Sequence, residues 1–281
     1  MVFFFCLFFF QLSGGKMVWT VHNLGRHESS CPKTDYFLIR VLIWWANALV
    51  VHSEAGREKV IEHYKLRRHG KLSVVRHANF LEDYPRKIEK SLARDQLGLK
   101  GEDIVFLFFG AIRRYKGVDC LIENFLRIKD ERAKLVIAGQ AGDKELMRHV
   151  HVLAEKSPSV MVFDGYVTAE SVPVFMSAAD LFVLPSRNMF TSGSVVLAAS
   201  YGLAIIAPAI LSVTDAVDTR SVFRFSPTEE HALTVAMAQA VEDYESLPDR
   251  GAAAFASVAC WGWTEAAKAT GAIYDKVLGR H

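Results

Sequence analysis

Between residues 103 and 209 the chain changes character on a regular beat. Short continuous apolar runs, "DIVFLFFG", "AKLVIAGQAG", "VMVFDGYV", "LFVLPS" and "AIIAPA", alternate with the helical segments "VDCLIENFLRIKD", "KELMRHVHVLAEKS", "SVPVFMSAA" and "SGSVVLAASYG". A strand that is apolar on both faces must be covered on both faces, and an intervening helix lets the next strand run parallel to it. The alternation therefore predicts an α/β fold with a doubly wound parallel sheet. A shorter version precedes it. "MVWTVHNL" (17–24), "ALVVHS" (48–53) and "KLSVVRH" (71–77) read as buried strands, and residues 54–66 have helical spacing. Between the two lies "ANFLEDYPRKIEKSLARDQLGLKGED", polar and punctuated by Pro and Gly, which places a domain boundary there and divides the chain into 1–98 and 99–281.

Composition narrows the function. Of 281 residues, 51% are hydrophobic and 23% charged, which describes a globular protein with ample core. The formal net charge is only +2, so any affinity for polyanions must be local. The basic run "YKLRRHGK" (64–71) lacks interleaved stacking aromatics, which argues against nucleic acid; it reads as a solvated face or a patch for anionic lipid headgroups. Cys6, Cys31, Cys120 and Cys260 show neither disulfide nor metal spacing, which points to a reducing, cytoplasmic setting. The opening "MVFFFCLFFFQL" is shorter than the ~20 residues that span a bilayer and lacks signal-peptide features. It is expected to be a buried element of the fold, with a peripheral contact at the inner membrane face left open. "LIRVLIWWANALVV" (38–51) reads as a core helix leading into a strand.

In doubly wound sheets, ligands bind at the carboxyl ends of the strands, where helix N-termini offer unpaired N–H groups. Two turns at that edge carry chemistry. In "FFGAIRRYKGVDCLI" (108–122), Arg113, Arg114 and Lys116 crowd a strand-to-helix turn between Gly110 and Gly117, a cationic fork suited to phosphate or else simply a solvated turn. After "LFVLPS", Thr191, Ser192, Gly193 and Ser194 open a helix with small hydroxyl residues around a glycine, either an anion nest or an ordinary N-cap. Two such turns on one sheet edge suggest a diphosphate.

Together these strings resemble the GT-B fold glycosyltransferases of the retaining group-1 type. "FFGAIRRYKGVDCLIENF" is similar to that family's "G-x-(x)-R-x-x-K-G-x-x-x-L-I" signature, which implies that Arg113 and Lys116 hold the donor diphosphate, with Gly110 and Arg114 beside them. "VFDGYVTAESVPVFMSAADLFVLPS" resembles the stretch that places Gly165, Tyr166 and Val167 against the nucleotide base and Pro185 and Ser186 before the sugar-binding loop. "VWTVHNLGRHE" resembles the acceptor-side strand, which implies that His22 faces the sugars and that Asn23, His27 and Glu28 serve acceptor recognition. "WGWTEAAKATGAIYDKVL" resembles the helix that crosses back to brace two domains. The implied architecture is two Rossmann-like doubly wound domains, an incomplete N-terminal acceptor-side one (1–98) and a donor domain (99–281). The family's Glu-x7-Glu motif falls near Met189 and Leu197, neither acidic, and the loop reads "TSGS" instead. Family members also carry about a hundred residues ahead of the "TVHN" strand, so the chain is expected to be a fragment or a shortened enzyme.

The resemblance implies transfer of a sugar from a UDP- or GDP-sugar to a glycan or lipid-linked saccharide, with retention and with no metal or other cofactor. The competing reading is a truncated donor domain that binds nucleotide sugar or a partner without turnover. A pyridoxal phosphorylase would need a lysine in a context absent here, and a two-carboxylate hydrolase needs paired acids that neither loop carries.

Overall fold

In a computed structural model, residues 2–25, 31–67, 70–85, 87–186, 193–210 and 215–279 are described. They divide into two compact units, Met1–Ala78 with Trp263–His281, and Asn79–Gly262.

The second unit holds six strands: β4 (Ile104–Phe109), β5 (Ala133–Gly139), β6 (Val160–Asp164), β7 (Leu181–Val183), β8 (Ala204–Pro208) and β9 (Val222–Phe225). All neighbours pair in parallel, in the order β6-β5-β4-β7-β8-β9. The chain starts at the middle of the sheet, walks outward to β6, returns to the other side of β4 and walks outward again. The reversal makes a switch point between β4 and β7, where a crevice opens at the carboxyl ends.

Burial follows the pleat. Along β4, Val105 and Leu107 enter one apolar cluster while Ile104, Phe106 and Phe108 enter another. The first face is covered by α4 (Lys90–Leu97), α7 (Val172–Ala178), α8 (Gly193–Ser200) and α10 (Leu247–Val258). The second is covered by α5 (Val118–Phe125), α6 (Lys144–Ala154) and α9 (Ala232–Glu242). The doubly wound parallel sheet is thus present as the apolar runs require.

The start of this unit lies earlier than the polar punctuation at 98/99 suggests. Asn79 Nδ2 donates to Val258 O at 2.9 Å, Phe80 N to Ser200 Oγ at 3.0 Å and Arg94 Nε to Ala178 O at 3.1 Å. Arg94 Nη2 also meets Asp180 Oδ2 at 2.8 Å, with both side chains almost fully buried. Polar residues that look like a linker are here the partners that bind 79–98 to the helices on one face of the sheet and to Asp180.

The first unit has three parallel strands, β1 (Val18–Thr20), β2 (Ala48–Val51) and β3 (Leu72–Val74), in that order. With them come α1 (Val2–Leu12), α2 (Pro32–Trp45), α3 (Glu54–Tyr64) and α11 (Trp263–Leu278). Two expectations fail in this unit. Phe5, Phe8, Phe9, Phe10 and Leu12 of α1 are exposed, so the apolar opening is not a buried element. In α2 only Ile43 is buried, so it is not a core helix, although it does lead into β2. Apolar composition says a segment needs cover; it does not supply the cover.

Candidate donor site and acceptor edge

The loop after β4 is built by alternation. Ile112, fully buried, bridges in parallel to Ala141 and donates its N–H to Gln140 O at 2.9 Å, so the loops after β4 and β5 run side by side. Arg113 therefore points the opposite way, outward over the β5 loop. A Cβ on Gly142 would fall 2.4 Å from Arg113 Nη1, so only glycine leaves the guanidinium its place. Gly139, at φ +155°, lets the two loops touch: a Cβ there would sit 2.1 Å from Gly110 O. One 3₁₀ turn, Arg114–Lys116, then swings Lys116 back over Gly110, its Nζ 3.5 Å from where a Gly110 Cβ would be.

Lys116 is half-buried, and burial first and the Arg113 charge second lower its pKa below the ordinary lysine value. Among the described residues neither cation has a carboxylate partner, so an anion placed between them would relieve both the desolvation and the repulsion. Arg114 has a different place. It pairs with Asp143 at 2.6 Å and approaches Glu145 at 3.7 Å, and Asp143 also caps α6 through the N–H groups of Glu145 and Leu146. Its charge is answered by carboxylates, so it braces the turn rather than joining the open pair.

The β7 side meets the same turn. Ser186, fully buried, donates from Oγ to Tyr115 O at 3.1 Å, tying the end of β7 to the cationic loop. Gly193 and Ser194 open α8 at this edge. Thr191 and Ser192, the first half of the expected anion nest, lie outside the described residues, as does Met189.

Beside the cations is a cleft of about 480 Å³ lined by Phe109, Gly110, Arg113, Gly142, Tyr166 and Val167 among others. Tyr166 is 78% exposed on one wall, while Val167 packs on the core and Gly165 precedes them at the end of β6. Gly142 and Tyr84 are among the lining residues that sequence reasoning missed. Gly142 was legible only as part of a strand end, and Tyr84 sat in the presumed linker. Burial first, then Asp83 and Tyr166, raise the Tyr84 pKa.

At the carboxyl edge of the first unit, His22 follows β1, His52 follows β2 and His77 lies three residues past β3. Their rings form a row, 5.2 Å between His22 and His52 and 5.8 Å between His52 and His77, ending on Trp263 at 6.1 Å. His52 Nδ1 donates to Val75 O at 2.9 Å, and burial dominates in lowering its pKa. Asn23 is exposed next to His22; His27 and Glu28 lie outside the described residues. Among the described residues no group of three or more His, Cys, Asp or Glu is arranged to hold a metal ion.

The family model for "Glycosyl transferases group 1" matches residues 103–243, which is 141 of the 281 positions. The chain belongs to this family. A D-inositol 3-phosphate glycosyltransferase of Streptomyces avermitilis is 26% identical over 84% of the chain and 53% of its own length. A GDP-mannose:glycolipid 4-beta-D-mannosyltransferase of Xanthomonas campestris pv. campestris is 28% identical over 70% and 51%. The chain thus spans about half the length of these curated relatives. Among solved structures, sucrose-phosphate synthase from Thermosynechococcus elongatus matches with a TM-score of 0.82 and 20% identity, covering 97% of this chain and 71% of that one. Anabaena HepE in complex with UDP and glucose matches with a TM-score of 0.81 and 17% identity, covering 97% and 74%. These likenesses fix the fold as GT-B.

Against the group-1 glycosyltransferase pattern one departure has a structural form. Leu197, near the second Glu of the family motif, is buried in the apolar cluster under α8, so no carboxylate can reach the cleft from there.

Proposed function

We propose that the protein transfers a sugar from a UDP- or GDP-sugar to a hydroxyl of a glycan or lipid-linked saccharide, with retention at the anomeric carbon. The observation that carries this reading is the pair Arg113 and Lys116, cationic, close together and, among the described residues, without a carboxylate partner, at the switch-point edge of a doubly wound sheet. As the bond between the sugar and the diphosphate breaks, charge grows on the β-phosphate. Arg113, Lys116 and the amides of Gly193 and Ser194 neutralise it, each charge-assisted hydrogen bond contributing roughly 1.5–3 kcal/mol. Tyr166 and Val167 offer the base a wall. His22, at the carboxyl edge of the first sheet, hydrogen-bonds a sugar hydroxyl or orients the acceptor, with Asn23 beside it. No metal enters this scheme, and chelation is expected to leave turnover unchanged. A cytoplasmic location belongs to the same reading. Its support is the family, a relative named for GDP-mannose and glycolipid, and a structural neighbour holding UDP and glucose.

The test is a thermal-shift series against UDP, GDP and their sugars, followed by a transfer assay. Ligand that binds the folded state raises its melting temperature by mass action. Wild-type protein is expected to respond to one nucleotide, and Lys116→Ala to lose both the shift and transfer. A full response in Lys116→Ala overturns the assignment. The second reading, nucleotide-sugar binding without turnover, is favoured by the buried Leu197 in place of an acid. It predicts the shift without transfer or hydrolysis.

A further inference from the structure

Tyr84 lies in the polar segment that enters the second unit, and hydrogen bonds pin that segment on both sides of it. Before it, Phe80 N donates to Ser200 Oγ at 3.0 Å and Leu81 N to Asn79 Oδ1 at 3.3 Å. After it, the Tyr201 hydroxyl donates to Pro85 O at 3.3 Å, Lys87 Nζ to Tyr201 O at 3.1 Å and Ile88 N to Ser177 Oγ at 3.3 Å. The segment is thus fastened to α7 and to the end of α8. The Phe80 ring backs that of Tyr84, with 5.9 Å between centroids and 33° between planes. A ring held in this way is pre-organised, so little ordering remains to be done when a ligand meets it.

The cleft that Tyr84 lines combines two chemistries. Arg113 and the bare backbone of Gly110 and Gly142 suit phosphates, while Tyr84, Phe109 and Tyr166 supply aromatic surface, and its described lining holds no carboxylate. Phe109 is already engaged, its ring 6.2 Å from that of Phe175 in the core. Tyr84 is half-buried and Tyr166 is 78% exposed, so these two rings have faces left to receive a flat ligand. Each touches the same cleft, and the Tyr166 hydroxyl is near enough to add to the forces on the Tyr84 phenol. With no acid to meet ribose hydroxyls, ring faces are the largest contribution this lining can make to a nucleoside. Resting on the sugar-transfer reading, we propose that Tyr84 and Tyr166 hold the donor's nucleobase between them. The segment entering the second unit, and not the sheet edge alone, then binds the nucleoside, while the diphosphate stays with Arg113 and Lys116. Stacking tolerates any base, so Tyr84 sets affinity for nucleoside diphosphates as a class and not the choice between UDP and GDP.

The experiment is calorimetric titration of wild type, Tyr84→Leu and Tyr84→Phe with UDP, GDP and inorganic pyrophosphate, with thermal melts to check folding. Tyr84→Leu keeps apolar bulk without a π-face. It is expected to weaken nucleotide binding roughly tenfold and to leave pyrophosphate binding unchanged, whereas Tyr84→Phe binds both as wild type does. Hydrogen exchange on the wild-type chain needs no variant: the amides of residues 80–84 should gain protection from the nucleotide and none from pyrophosphate. Equal losses for nucleotide and pyrophosphate in Tyr84→Leu overturn the proposal, because they mark a ring that only supports the cleft. Unchanged nucleotide affinity in Tyr84→Leu overturns it too, as does exchange at 80–84 that the nucleotide leaves untouched. A wild-type protein that binds neither nucleotide refutes the sugar-transfer reading itself, a result distinct from nucleotide binding that ignores Tyr84.

Discussion

Two places in the second unit bring cations to the ends of apolar segments, and they are resolved in opposite ways. Asp180, just before β7, accepts from Arg94 Nη2 at 2.8 Å, Lys90 Nζ at 2.5 Å and the Val105 N–H at 2.7 Å. At the carboxyl end of β4, Lys116 is half-buried beside a second cation, and among the described residues no carboxylate answers either. The first arrangement is complete and therefore structural. The second is incomplete, and an incomplete electrostatic site on a rigid sheet edge is what a dianionic ligand can complete. Arg114 separates the cases within one turn, because it lies between the two open cations in sequence and yet is paired to Asp143.

Breaking the complete site should have the largest effect. Asp180→Ala strands the buried Arg94 guanidinium and removes the partner of the Val105 N–H. A loss of about 3–5 kcal/mol is expected, since an uncompensated buried charge is left behind. Urea denaturation measures it. A loss under a fifth of that would show that solvent reaches Arg94, and the contrast would collapse.

The incomplete site should answer with the opposite sign. Desolvation and Arg113 disfavour ionised Lys116 in the fold, so at neutral pH its charge opposes folding of the ligand-free protein. Lys116→Met is expected to raise the ligand-free melting temperature while weakening nucleotide diphosphate binding by about one to two orders of magnitude. Calorimetric titration with UDP or GDP beside a melt reads both. A variant that is less stable without ligand would mean that Lys116 is a structural residue.

A finer probe leaves both cations in the sequence. Gly142→Ala introduces a Cβ 2.4 Å from Arg113 Nη1, and the group that must yield is the end of a flexible side chain. Stability should hardly change, while affinity for the diphosphate falls about tenfold, as for one charge-assisted hydrogen bond. Unchanged affinity would remove Arg113 from the site.

These residues also mark how far the sequence could be read. The second sheet was legible because each parallel strand, covered on both faces, is a continuous apolar run, and the cationic turn was legible because topology alone sets its edge. Arg94 and Asp180 were not, because 86 positions separate partners that only folding brings together. Gly142 was hidden for a related reason: its function is to be empty space under a side chain from another loop. In the first unit the phenylalanine-rich opening misled, since hydrophobicity fixes a demand for cover and not the surface that meets it. His22 was found from its own motif; His52 and His77 entered only with the β1–β2–β3 register.

That row allows the smallest and most specific prediction. Burial holds the His52 imidazole neutral, outweighing its bond to Val75 O, and the neighbouring His22 and His77 act in the same direction as burial. A depressed folded pKa means that the unfolded chain takes up the proton first. The contribution to stability is therefore complete above the unfolded value of 6.5 and drains away as pH falls through the lower folded value. His52→Gln keeps a group able to donate to Val75 O and removes the titration. Its melting temperature should track wild type near pH 7 and fall less steeply between about pH 6.5 and 5. Parallel curves over that range would mean that the His52 imidazole is already open to solvent.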